Sequence, residues 1–272
     1  MAAYEFFAAT TTNQFIENIK TKAEAYGWTI DFFGLYNSNN RLHLHNVHGS
    51  HFEIWFNSSS DFYIVACTGY ASASAPTAQP GVSASQFLTA NAATFMAVCP
   101  SSIFLKIFRD GVRAQPFQFG TIVDKIGAWT GGTCISSTVW TYSNDSWPFW
   151  GASTSSSLQS QALINGAWSN PNVSAGGAVR GTCESEMYTR MPFAYSGGII
   201  PTPMLLVQLD PTTPANLHPI GYAPDVRFFA GGTVYAQMEE VTIDGEVWVA
   251  ISTTETTTAL SQAPDMLIRL AA

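Results

Sequence analysis

The sequence predicts a mainly β protein, built from sandwich- or barrel-like antiparallel sheets with one α-helix near the N-terminus. Three observations carry that prediction. From residue 28 onward, β-branched and aromatic residues fall in short runs broken by Gly, Pro, Asn and Ser, the punctuation of strands and turns. Residues 12–26 alone keep apolar side chains at helical three- and four-residue intervals. Asp244-Gly245 lies between Val241-Thr-Ile and Glu246-Val-Trp-Val, a two-residue hairpin signal because both turn residues must adopt positive φ.

Taken in order, the helix comes first. Thr11 and Gln14 have capping-box spacing, Phe15, Ile19, Ala23 and Tyr26 supply the apolar stripe, and Gly27 supplies the stop. A meander follows, with strands at 28–33, 42–45, 52–56 and 62–67 and a turn at 37–40. Residues 71–86, ASASAPTAQPGVSASQ, lack apolar periodicity and read as a linker or long loop. They separate a helix-plus-meander unit, 1–70, from a β-rich unit, 87–272, as two domains or as parts of one. Beyond them, 87–98 and 103–108 read as strands, and Asp110-Gly111 as a turn leading to 117–119. Residues 152–181 read as loops between short strands, 204–209 as a continuous apolar strand, and 241–249 as the closing hairpin. Gly-Gly doublets at 131, 176, 197 and 231 are irregularly spaced, which excludes a repeat architecture.

Charge is the unusual quantity. Asp, Glu, Lys and Arg make up 11% of the 272 residues while 46% are apolar, against about a quarter charged in an ordinary soluble domain. A surface so short of charge predicts a subunit covered by neighbours, hence a homo-oligomer. With 11 basic and 19 acidic residues the net charge is -8. That argues against direct nucleic-acid binding or an anionic membrane as partner, and pairs such as Lys20 with Lys22 or Arg109 with Arg113 are too sparse to track phosphates. The N-terminus has neither a basic region nor an apolar core, so synthesis in a cytoplasm is expected. Cys67, Cys99, Cys134 and Cys183 stand far apart and read as buried free thiols.

Four of the five histidines fall at His43, His45, His48 and His51. In a hairpin centred on His48, His45 opposes His51 and His43 opposes Glu53, all on one face. His43, His45, His51 and Glu53 are therefore candidate ligands for a divalent metal. The alternative, and the expectation, is no bound cofactor, with imidazoles packed against Trp55 or hydrogen-bonded across a subunit interface.

Signatures of nucleophilic, phosphate-loop, zinc-protease and dinucleotide chemistry are missing, and Glu184 with Glu186 or Glu239 with Glu240 form acidic pairs by sequence only. No enzyme activity is expected. Trp129, Trp140, Trp147, Trp150 and Trp168, with Tyr142 and Phe149, could stack on sugars, though such residues more often anchor interfaces and cores.

The segments Gly27-Trp-Thr-Ile-Asp-Phe-Phe-Gly34, Asn39 to Asn46, His51-Phe-Glu-Ile-Trp-Phe56, Phe119 to Gly132 and Pro219 to Arg227 resemble structural proteins from the virions of tailed bacteriophages. The resemblance spans about half the chain and contains no diagnostic motif. It implies a non-enzymatic building block of neck, tail or baseplate, located in the virion and assembled in the bacterial host cytoplasm with other virion proteins. A ring in the neck or tail is expected, with Phe15, Ile19, His43, His45, His51 and Trp55 as interface candidates. A carbohydrate- or receptor-binding accessory of the tail or baseplate is the alternative.

Overall fold

Two faces of one sheet are buried here, and that organises the molecule. The computed structural model describes residues 3–9, 11–56, 61–73, 75–78, 82–87, 93–109, 113–137, 161–168, 179–181, 201–209, 217–228, 235–236, 238–251 and 266–271. The chain begins with β1 (Tyr4–Phe7) and α1 (Thr12–Ala25), then β2 (Thr29–Tyr36), β3 (Asn39–His45), β4 (His51–Phe56) and β5 (Asp61–Cys67). Next come β6 (Gly69–Ser72), β7 (Ala75–Ala78), β8 (Val82–Phe87), β9 (Ala93–Val98), β10 (Ser102–Arg109), β11 (Arg113–Thr121) and β12 (Gly131–Ser137). The remainder is β13 (Gln161–Ile164), β14 (Ala167–Trp168), β15 (Val179–Gly181), β16 (Thr202–Leu209), β17 (Leu217–Phe228), β18 (Glu240–Ile243), β19 (Glu246–Ile251) and β20 (Met266–Arg269).

Among the described residues the protein is mainly β with one helix, and its antiparallel sheets form a sandwich-like stack. The central sheet runs β1-β9-β10-β11-β12-β13-β14, flanked by β2-β3-β4-β5-β8 and β15-β16-β17-β20-β19-β18, with β6 and β7 as a separate ribbon. Alternation along the central strands shows how they serve both neighbours. Met96, Val98, Ile103, Leu105, Phe117 and Ile135 join the core shared with α1 and the five-stranded sheet. Phe95, Ala97, Phe104, Cys134 and Ala162 join Met204, Leu206, Val249 and Ile268 of the six-stranded sheet. Strands buried on both faces read as near-continuous apolar runs, which is why β9 and β10 show no regular polar alternation, Lys106 in the middle of β10 being itself buried.

The helix forms where its sequence signals place it. Thr11 caps it, its hydroxyl accepting from Gln14 N at 3.2 Å, and Gly27 at φ +88° closes it as Trp28 N bonds Ala23 O, the wrapped C-terminal geometry that favours glycine. Phe15, Ile16, Ile19 and Ala23 are fully buried, each large apolar side chain contributing about 1.5–3 kcal/mol. Phe15 meets Phe56 and Phe62 edge-on with centroids 5.3 and 5.4 Å apart.

Several sequence expectations are revised. Residues 71–86, read as a linker or long loop, contain most of β7 and β8, and β8 pairs β5 from Asp61↔Phe87 to Ala66↔Val82. A ladder of backbone hydrogen bonds needs no apolar period, so the stretch was invisible to a hydrophobic pattern. Residues 87–98 are not one strand; Phe87 ends β8, and β9 begins at Ala93 in another sheet. The N-terminal segment also reaches across, since β1 pairs β9 from Tyr4↔Ala97 to Phe7↔Thr94. The Asp244-Gly245 hairpin is as expected, with φ +55° and +83° and Ile243 opposite Glu246. The turn after β2 is tighter than expected, Asn37 and Ser38 at φ +49° and +65° leading directly into Asn39. The Asp110-Gly111 turn lies outside the described residues.

Candidate functional site: a histidine and aspartate cluster on the five-stranded sheet

Register places the histidines as their parity requires. His45 pairs His51, His43 pairs Glu53 and Arg41 pairs Trp55, while Leu42, Leu44, Phe52 and Ile54 on the opposite face are fully buried in the core. The outer face of β3 and β4 therefore gathers imidazoles by the same alternation that buries the leucines.

The turn joining these strands is held from inside. Asn46 is buried; its Nδ2 donates to Ser101 O and Thr121 Oγ1, both at 2.8 Å, and its Oδ1 accepts from His48 N at 3.0 Å and Ser50 N at 3.1 Å. Ser50, Thr121 and Thr133 extend the network. One amide thus clamps the His45–His51 turn onto the central sheet. His48, at its tip, is exposed and stays outside the cluster.

Asp31 completes the group. Ile30 pairs Leu44 while Phe32 pairs His43, so Asp31 is the extra residue of a β-bulge, a device that re-aims side chains. Its Oδ2 lies 2.9 Å from His45 Nδ1, 3.5 Å from His51 Nδ1 and 3.8 Å from His43 Nε2. A sequence signal existed in the adjacent Phe32-Phe33, two aromatic residues that strict alternation cannot place on one face; Ile30 and Phe33 both pack on the core.

Glu53, expected as the carboxylate of the cluster, has a different partner. It is buried and bonds Arg41 Nη1 at 2.8 Å, and the Arg41 guanidinium stacks 4.4 Å from the Trp55 ring and 4.6 Å from that of Tyr36. Trp55 in turn lies parallel to Tyr63, centroids 5.0 Å apart. His43 has no exposed surface; its Nε2 is 3.3 Å from His51 Nδ1 and 3.9 Å from Cys67 Sγ, and its Nδ1 has no hydrogen-bond partner. Burial pulls the His43 pKa down to about 4 against the opposing pull of Asp31, and lowers that of His51. Both are neutral imidazoles at pH 7, with a lone pair available. Burial pushes the neighbouring Cys67 thiol up to about 12, keeping it protonated.

Other candidates resolve differently. Phe15 and Ile19, expected at a subunit interface, are instead buried within the chain's own core, because the apolar stripe of α1 docks on its own sheets. Trp129 Nε1 donates to Ile126 O and Ile220 O, both at 3.1 Å, and Trp168 packs on the core; both brace structure. Glu239 and Glu240 accept from Ala236 N and Tyr4 Oη respectively, rather than facing one another across a cleft. Trp140, Tyr142, Trp147, Phe149, Trp150, Cys183, Glu184 and Glu186 lie outside the described residues. A polar knot that sequence reading missed joins Asp225, at φ +57°, to Arg269, Ser101 and Ser102 at 2.5, 2.5 and 2.6 Å. Its carboxylate is fully engaged in tying the six-stranded sheet to the central one. No family model matches the chain, and no curated protein matches it.

Proposed function

We propose that this chain is a non-enzymatic structural subunit of a tailed-phage virion, assembling as a ring in the neck or tail with copies of itself and with other virion proteins. The observation that carries the reading is the free edge of β2. Among the described residues β2 closes the five-stranded sheet, eight residues long with Asp31 its single charge. Leu35 stands 71% exposed on it. Monomeric proteins blunt such edges with charge, proline, bulges or cover, because unpaired N–H and C=O groups invite another chain's strand; past the bulge at Asp31, residues 32–36 of β2 carry no charge and no proline. A charge content of 11% supports the same reading, since a surface covered by subunits needs little charge for solubility. The outer face carrying Trp55 adjoins that edge and remains a candidate contact region.

Native mass spectrometry of the purified chain at neutral pH, with electron microscopy of the same sample, tests the proposal. The expected result is a closed oligomer that dissociates in Leu35→Lys, a charge placed on the edge. A monodisperse monomer, unchanged by that substitution and binding glycans as a single chain, would overturn it in favour of the accessory-module alternative.

A further inference from the structure

We propose that Asp31, His45 and His51 form a binding site for a divalent metal ion of the zinc type. The argument rests on geometry. A tetrahedral zinc with bonds of about 2.0–2.1 Å sets its ligand atoms roughly 3.3 Å apart. The Asp31 Oδ2 to His45 Nδ1 and His51 Nδ1 distances are 2.9 and 3.5 Å, and the three donor atoms lie within 4.8 Å of one another. These two spacings bracket what the ion requires, and the two imidazoles, within 4.8 Å of one another, would close to about 3.3 Å around it.

Hydrogen bonding alone accounts poorly for the arrangement. Two imidazoles turn Nδ1 toward one carboxylate oxygen, and His51 Nδ1 also faces His43 Nε2 at 3.3 Å. A neutral imidazole has one N–H to give, so His51 Nδ1 serves only one of its two neighbours; a cation between the three ligand atoms takes one lone pair from each. Two nitrogens and one carboxylate oxygen suit zinc, cobalt or nickel, whereas magnesium and calcium seek oxygen shells. The site is also reachable, for the side chains of Asp31, His45 and His51 are 15, 28 and 18% exposed. Solvent can therefore supply the open coordination position, and the buried His43 backs the site from behind.

The backbone supports the same reading. Asp31 is held by the bulge in β2, and the two histidines by a directly opposed pair whose turn Asn46 fixes. All three donors thus sit on paired strands before any ion arrives, the preorganisation that metal sites need. The inference is independent of the virion proposal, since a monomer and a ring would each present it.

The test uses the whole chain, stripped with chelator and dialysed, then titrated with Zn²⁺ by calorimetry and assayed for bound metal after equilibrium dialysis. One equivalent per chain is expected, uncompeted by millimolar Mg²⁺, and Co²⁺ in its place should give the intense visible bands of low coordination. Asp31→Asn and His45→Gln keep side-chain size at partly exposed positions, and each should weaken binding by at least about 100-fold with an unchanged far-ultraviolet circular dichroism spectrum. Absence of saturable binding, or one-equivalent binding equally tight in both variants, would overturn the proposal.

Discussion

Replacing Asn46 by Ala tests whether the turn carrying His45 and His51 is held by one buried amide. The bonds lost can be valued singly. Ser101 O keeps a second donor in Thr121 N at 2.9 Å, and Thr121 Oγ1 keeps Ser50 Oγ, so each loses a net hydrogen bond worth about 1 kcal/mol. His48 N lies beside an exposed tip, where water can replace its partner. Ser50 is buried, and its N–H has Asn46 Oδ1 as acceptor; leaving that donor orphaned costs about 1–3 kcal/mol. The total is about 3–5 kcal/mol, read as the shift in urea midpoint at constant slope. Asn46→Asp sharpens the test, because it retains the acceptor for Ser50 N but turns a carboxylate oxygen toward Ser101 O. There burial and the facing Ser101 O favour the protonated carboxyl more than the His48 and Ser50 N–H bonds favour the carboxylate, so the folded state binds the extra proton and the deficit of Asn46→Asp shrinks as pH falls toward 4. A loss below about 1 kcal/mol for Asn46→Ala, or a deficit in Asn46→Asp that does not vary with pH, would refute the reasoning.

Two further outcomes follow from buried groups elsewhere. Lys22 is buried and bonds the part-exposed Glu5 at 2.8 Å, so Glu5→Ala should cost about 2 kcal/mol by stranding an ammonium, and adding Lys22→Met should recover most of it; equal denaturation midpoints for the single variant and the parent would contradict this. Cys67, Cys99 and Cys134 are buried, with burial raising all three thiol pKa values. A thiol reagent at pH 8 should find at most one fast-reacting cysteine in the native chain and four after unfolding, and a second fast thiol in the native state would count against the packing described.

Elements whose determinants are local were legible in the sequence. The helix could be placed by Thr11, Gln14 and Gly27, because a cap and a stop each act within one turn. The Asp244-Gly245 hairpin and the His43–Glu53 pairing could be placed because alternation and a short turn leave little freedom of register. What escaped depends on long-range partners. That β9 and β10 are strands was readable from their apolar runs, but that they serve two cores at once was not, since the partners lie far along the chain. Asp31 escaped for a related reason: the pairing register of β3 and β4 is symmetric about their own turn, whereas the bulge in β2 is a one-residue offset against β3. Glu53 was placed on the correct face, but its choice of Arg41 over the imidazoles follows from side-chain reach, on which parity is silent.

The distribution of polarity links the two proposals. In a chain so poor in charge, Asp31, Arg41 and Glu53 share one face of three adjacent strands with His43, His45 and His51. Each charged group there has a specific partner, Asp31 among the imidazoles and Arg41 with Glu53. Charge on this face is placed by pairing, which fixes geometry, rather than scattered to hold water at a surface. A few residues along β2, past the bulge, Leu35 pairs Asn40 on the opposite face and stands exposed. Among the described residues, one strand therefore carries both an unpaired edge open to a neighbouring chain and a carboxylate aimed by a bulge at two imidazoles. Since the bulge sets the twist of that edge as well as the position of Asp31, a strand added by a neighbour and an ion bound by the cluster would each constrain the same few residues.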